Sequence, residues 1–174
     1  IGLTALVMVI LMAILISDLV VIRSNTANKV IDTLSMIPYV IPGSVVGIAL
    51  AMSFNTKPLI LTGTITIMVV ALVIRRIPYT IRSSVATLQQ IPITIEEAAI
   101  SLGSSKLKAF FTITVPMMAN GILSGAIMSW VTIITELSTA IILYNLNSVT
   151  LTIATYTYVS RGNYCIAEAY AENV

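Results

Sequence analysis

Residues 94–116, TIEEAAISLGSSKLKAFFTITVP, form the one long polar interlude in a chain that otherwise reads as lipid-soluble. Thr94 and Glu97 stand at the spacing of a capping box. In that motif the threonine hydroxyl accepts from the N–H three residues on, and the glutamate accepts from the N–H of the cap. A helix is therefore predicted from Thr94. Pro92 suits a helix start, and Ile95, Ala99 and Leu102 recur at i, i+4 and i+7, which gives the helix one apolar stripe. Gly103 ends it, because glycine accepts the left-handed conformation at a helix C-terminus with little strain. Ser104 or Ser105 can cap a second short helix carrying Lys106, Lys108, Phe110 and Phe111. Pro116 closes the segment before the next apolar run.

The rest of the chain sets the solvent. Of 174 residues, 57% are hydrophobic and 9% charged, against roughly 25% charged in soluble domains; mean hydropathy is +1.02. This is the composition of an all-α, polytopic membrane protein. The net charge of +2 is small and its carriers are scattered, which argues against a nucleic-acid partner. Cys165 is the single cysteine and there is no histidine, so neither an internal disulfide nor a structural metal site is expected. The eight methionines are dispersed through apolar runs, where packing accounts for them. Gly103-Ser104-Ser105-Lys106 lacks the GxxxxGK[ST] pattern and a preceding strand. Without histidine no Ser-His or Cys-His pair can form. The chain reads as no enzyme, with no cofactor, and its energy must come from a partner.

Taken in order, residues 1–22 are an apolar run long enough for about 30 Å of hydrocarbon at about 1.5 Å per residue. The chain opens inside that run, without an initiating methionine, a basic leader or a cleavage site, and so reads as a fragment with earlier spans missing. Asp18 lies near Arg23 and reads as an interfacial charge, paired locally or hydrated. Residues 23–35 read as a short polar connection. Ile37-Pro38 and Ile41-Pro42 mark an irregular start to a second span, about 41–54, in which Gly43, Gly47 and Ala51 form a small-residue stripe suited to close helix packing. After the turn Asn55–Pro58, a third run covers about 59–74 and reaches Arg75-Arg76, its helix free to continue to Pro78 or beyond. A fourth run, 117–143, carries a second stripe, Gly121, Gly125 and Ser129, and one acid, Glu136. A carboxylate in hydrocarbon must face protein or water. Glu136 therefore faces inward, either as a polar contact locking helices, as a residue near the outer interface, or as a lining of a translocation path. Residues 150–164 read as a partly inserted or interfacial helix in place of a strand, since an open edge in lipid leaves backbone groups unpaired. Glu168 and Glu172 interrupt any last span, which reads as incomplete.

Orientation follows from the basic residues. Alternating spans place Arg23, Lys29, Arg75, Arg76, Arg82, Lys106 and Lys108 on the side of residues 94–116, and only Lys57 and Arg161 on the other. The first side is then cytoplasmic.

Glu97-Ala98-Ala99, Gly103, Ile113 and Val115-Pro116, at their spacing, resemble the "EAA" loop of the membrane subunits of binding-protein-dependent ABC importers. Val115 stands where that loop usually has leucine. ELSTAIILY, residues 136–144, is most similar to the iron(III) permeases of that family. The resemblance covers about residues 1–164 and is specific over 94–116. It implies a single transmembrane permease domain over 1–174, in the cell (inner) membrane, with a cytoplasmic helix-turn-helix coupling loop. The implied partners are a separate ABC ATPase, a second permease subunit or half, an external solute-binding protein and membrane lipid. Glu97, Ala98, Ala99, Gly103, Ile113 and Pro116 would then serve the ATPase contact, and Gly43, Gly47, Gly121 and Gly125 helix packing. Ferric iron is the first substrate implied, with phosphonates, thiosulfate and polyamines still open. The competing readings are a secondary carrier or channel subunit without an ATPase, and a non-transporting remnant. One buried acid and no visible internal repeat fit a carrier poorly.

Overall fold

In hydrocarbon every backbone N–H and C=O must bond within the protein, which leaves an apolar chain little choice but helix. The computed structural model describes residues 1–21 and 26–172, and all regular structure among them is helical. The helices are α1 (Gly2–Val21), α2 (Thr26–Val40), α3 (Gly43–Ser53), α4 (Ile65–Leu88), α5 (Thr94–Ser101) and α6 (Lys106–Met117). They continue as α7 (Ala119–Ile134), α8 (Ala140–Leu143), α9 (Leu151–Ser160) and α10 (Tyr164–Ala171). Ile22 and Arg23, the end of the first run and the neighbour expected for Asp18, lie outside the described residues, as does the side chain of Lys29.

By length and composition α1 alone can cross a membrane among the described residues; three crossings result if two bent helix pairs each count as one. These pairs correct the expected spans. Residues 26–40 are helical where a polar connection was expected, and Pro38 lies inside that helix. The second run is a corner: Val30–Val40 and Gly43–Ser53 meet at 106° across Ile41-Pro42. Pro42 has no N–H to continue α2 and disfavours helical backbone at Ile41 before it. The 11 residues of α3 rise only about 16 Å, half the hydrocarbon. The third run becomes helical only at Ile65 and then continues through Pro78 to Leu88. Arg75 and Arg76 thus sit in mid-helix and do not flank it. The fourth run is broken between Ile134 and Ala140, with Glu136 in the break. Residues 151–160 are helix, as the backbone argument required.

The chain gathers into two compact units, one of Ile1–Val7, Pro38–Arg76 and Trp130–Val174, the other of Met8–Ile37 and Ile77–Ser129. In the second, Ala13, Ile77, Ile81 and Val85 form one buried cluster and Leu88, Met118 and Ile122 another, which seats the base of the 94–116 loop. Asn28 donates to the Leu19 carbonyl at 2.7 Å, tying α2 to the end of α1. The first unit buries Ile67, Met68, Ala71, Leu143 and Ile153, and stacks Tyr158 on Tyr170 between α9 and α10.

Candidate functional site

The loop at 94–116 folds as a helical hairpin. α5 starts earlier than a capping box requires. Ile93 is already helical and takes the N-cap place without a side-chain bond, and the Pro92 and Ile93 carbonyls accept from Ile95, Glu96 and Glu97. Thr94 is thereby inside the first turn, so the Thr94–Glu97 capping box does not form. Glu96 does the anchoring: Thr114 Oγ1 donates to its Oε2 at 2.9 Å, clasping the two arms of the hairpin. Sequence spacing could not single out Glu96, because its partner lies 18 residues away.

Gly103 ends α5 with φ +91°. Its N–H donates to the Ile100 carbonyl and the Ser104 N–H to the Ala99 carbonyl, at 2.9 and 3.0 Å, the two bonds of a Schellman closure. Ser105 caps the next helix, accepting from the Lys108 N–H. That helix is longer than expected and runs to Met117 through a π-turn at Phe110–Thr114, in which the Val115 N–H reaches the Phe110 carbonyl. The wider turn fits Pro116, whose ring would collide with the Thr112 carbonyl in a regular helix. Pro116 therefore does not close the segment. The chain bends by 65° at Met118 instead.

The expected stripe along α5 is not buried. No α5 residue is buried, Ile95 is exposed, and Leu102, just beyond the last helical residue, is 90% exposed. Leu107 across the turn is 70% exposed. Glu97, Ala98, Gly103 and Pro116 are also exposed, while Ala99 and Ile113 are half-buried. The hairpin thus carries bare leucines on either side of its Gly103 turn. On its inner side, Glu96, Glu97, Lys106 and Phe110 line a hollow with Leu15, Asp18 and Leu19 of α1.

Glu136 faces inward, and its side chain is 3% exposed. Its Oε1 accepts from the Thr139 N–H and Oγ1, both at 3.1 Å. Its Oε2 is bonded by Arg76, and Arg75 Nη2 stands 3.6 Å away. Arg75 Nη1 also donates to the Ile41 carbonyl at 2.6 Å. The two arginines were read from sequence as cytoplasmic flank. Nothing local signals otherwise, since the carboxylate they meet is 60 residues on.

The four glycines lie at close approaches. A Cβ on Gly43 would stand 2.7 Å from Thr139 Oγ1 and 3.1 Å from Glu136 Oε1, and one on Gly47 would stand 3.2 Å from Ile142 Cβ. On α7, a Cβ on Gly121 would fall 2.0 Å from Thr87 Oγ1, and one on Gly125 would fall 2.7 Å from Thr80 Cα. Hydroxyls bind the same seam: Ser83 donates to the Gly121 carbonyl and Thr80 pairs with Ser129, at 2.7 and 2.8 Å.

Residues 4–167 match the family described as binding-protein-dependent transport system inner membrane component. The chain is 31% identical over 160 residues to the ferric transport system permease protein FbpB of Actinobacillus pleuropneumoniae, covering 92% of this chain and 23% of that protein. It is 36% identical over 118 residues to the molybdate/tungstate transport system permease protein WtpB of Pyrococcus furiosus, covering 68% of this chain and 45% of the relative. It therefore spans less than half the length of either. The family consists of membrane transport components and not of enzymes. From the all-helical fold, the apolar composition and this match over most of its length, the chain is a membrane protein that belongs to the binding-protein-dependent transport system inner membrane component family.

Proposed function

We propose that the chain forms all or part of the permease subunit of an ABC importer, crossing the inner membrane more than once and building the translocation path with a second permease subunit or half. Residues 94–116 lie on the cytoplasmic side and dock on a separate ABC ATPase. An external solute-binding protein delivers the cargo, ferric iron, and Glu136 lines the path. The observation that carries this reading is the hairpin itself. In a chain whose other apolar surface is suited to lipid, it projects Leu102 and Leu107, both well exposed, from a polar segment containing Glu97, Lys106 and Lys108. Bare leucines ringed by charge suit a protein partner better than acyl chains. Of the basic residues placed inside by the charge rule, Lys106 and Lys108 lie on the loop itself, and Arg75 and Arg76 drop out because they are engaged with Glu136. Ferric iron is supported by the likeness to FbpB.

The test is uptake of radiolabelled ferric iron and of molybdate by cells carrying the full reading frame with its ATPase and receptor. ATP-dependent iron uptake that fails when Leu102 is replaced by glutamate supports the reading. Uptake indifferent to that substitution and to ATP argues for a carrier, and molybdate uptake alone changes the substrate.

A further inference from the structure

Two guanidinium groups meet one carboxylate at Glu136, and the cluster is short of negative charge. Arg75 and Arg76 sit in the middle of the 24-residue α4. Their side chains are 14% and 12% exposed and that of Glu136 is 3% exposed. Both oxygens of Glu136 are engaged: Oε1 accepts from the Thr139 N–H and hydroxyl, and Oε2 accepts from Arg76. Arg75 stands outside that pairing, with Nη2 3.6 Å from Oε2, too far for a hydrogen bond. Of its N–H groups, which number about five, one on Nη1 donates to the Ile41 carbonyl at 2.6 Å, while Nε is buried without a hydrogen-bond partner. Among the described residues Glu136 is the one carboxylate that pairs with Arg75. One positive charge is therefore left over. Such a charge is costly away from water, and a buried donor without an acceptor adds to the cost. An anion whose oxygens accept from Arg75 relieves both. A bare cation relieves neither, since it meets the surplus positive charge and a carboxylate already facing the donors of Thr139 and Arg76.

We propose that Arg75, held between the Ile41 carbonyl and the Arg76–Glu136 pair, is an anion-recognition site, and that cargo passes it as an oxyanion or as a metal wrapped in an anionic carboxylate chelate. Arg75 supplies the charge and the Nε donor, the Ile41 carbonyl holds one edge of its guanidinium, and Glu136 cancels Arg76. All of these residues lie in one compact unit. The proposal rests on the importer reading, in which Glu136 lines the path, and gives the ferric cargo of that reading a form: iron surrounded by carboxylate oxygens, with net negative charge.

The experiment is equilibrium binding of radiolabelled ferric citrate, of radiolabelled molybdate and, as a bare cation, of ferrous ion to the full chain without ATPase or receptor, in a maltoside detergent that brings no lipid phosphate. Arg75→Gln removes the charge, Arg75→Lys keeps the charge but loses the Nε donor, and Glu136→Gln removes the one negative charge. The native chain should bind at least one of the two anions and no ferrous ion. Arg75→Gln should weaken that binding by about ten- to a hundredfold, the range of one hydrogen bond to a charged group, and Arg75→Lys should recover part of the loss. Glu136→Gln should bind the anion at least as tightly as the native chain; if that variant does not fold, the two Arg75 variants still decide. Ferric citrate binding identifies the chelate as the cargo, and molybdate binding alone keeps the site and changes the cargo. A native chain that binds neither anion, an Arg75→Gln affinity equal to the native one, or ferrous binding that Glu136→Gln abolishes overturns the proposal. Binding needs neither ATPase nor receptor. Failure of uptake in the complete system therefore counts against the importer reading, while binding still decides the anion site.

Discussion

Replacing Gly121 and Gly125 by alanine should destabilise the chain by similar amounts against different obstacles on α4. A Cβ on Gly121 would stand 2.0 Å from Thr87 Oγ1, 2.6 Å from Thr87 Cβ and 3.0 Å from the Ser83 carbonyl. The hydroxyl can turn away by giving up its 3.0 Å bond to the Ser83 carbonyl, but the Thr87 Cβ moves only with the backbone of α4. A Cβ on Gly125 would stand 2.7 Å from Thr80 Cα and 3.3 Å from the Thr80 carbonyl, both backbone. The helices must then part by close to 1 Å, which forfeits a quarter to half of the local dispersion. The Thr80–Ser129 and Ser83–Gly121 hydrogen bonds, 2.8 and 2.7 Å, stretch with them. Overpacking of this kind costs about 1–3 kcal/mol, and the two interhelical bonds about 0.6 kcal/mol each. Gly121→Ala and Gly125→Ala should therefore each cost about 2–4 kcal/mol. Thr87→Gly removes both Thr87 contacts and should restore at least about 1 kcal/mol to Gly121→Ala and nothing to Gly125→Ala. The assay is reversible unfolding by dodecyl sulfate in mixed micelles, followed by circular dichroism and by the fluorescence of Trp130, the single tryptophan. Native stability in Gly125→Ala, or equal rescue of both variants by Thr87→Gly, would refute the close crossing.

Two further outcomes concern the hairpin. Gly103 has open space around a Cβ, with nothing within 4 Å, but a φ of +91°. Gly103→Val should thus strain the turn by about 1–2 kcal/mol or more and uncouple ATP hydrolysis from uptake, while Gly103→Asn, which tolerates that backbone, keeps both; unchanged uptake in the valine variant would defeat the claim. Thr114→Val removes the hydroxyl that clasps Glu96 and should loosen α5 by about 1 kcal/mol, read as faster amide exchange at Ala98–Ser101 with exchange in α7 unaltered.

Much of this architecture was legible because it follows from local rules. Gly103 had to be a turn, and Ser104 and Ser105 were both able to cap the next helix, of which Ser105 does so. The glycines at 43, 47, 121 and 125 lie at sites where a methyl group would meet a neighbour. Glu136, as a lone acid in an apolar run, had to face inward. Partners distant in sequence were not legible. Arg75 and Arg76 carry the signature of a cytoplasmic flank, and only the fold brings Glu136 to them. The Thr94–Glu97 pairing matched a motif, but Pro92 and Ile93 began the helix first. Leu102 had the period of a buried face and fell one residue past the helix end, where it is bare. The polar composition of residues 26–35 masks a helix, and a corner at Pro42 looks in sequence much like the start of a span.

The proposed docking role of residues 94–116 is tested most directly by a cysteine at Leu102, in the full chain with Cys165 replaced by serine, crosslinked in native membranes that contain a candidate ABC ATPase. A crosslink to that subunit whose yield changes with ATP is the predicted result. A Leu102 cysteine that labels only from the external face, with no crosslink to the ATPase under any nucleotide condition, would contradict both the orientation and the role of the loop.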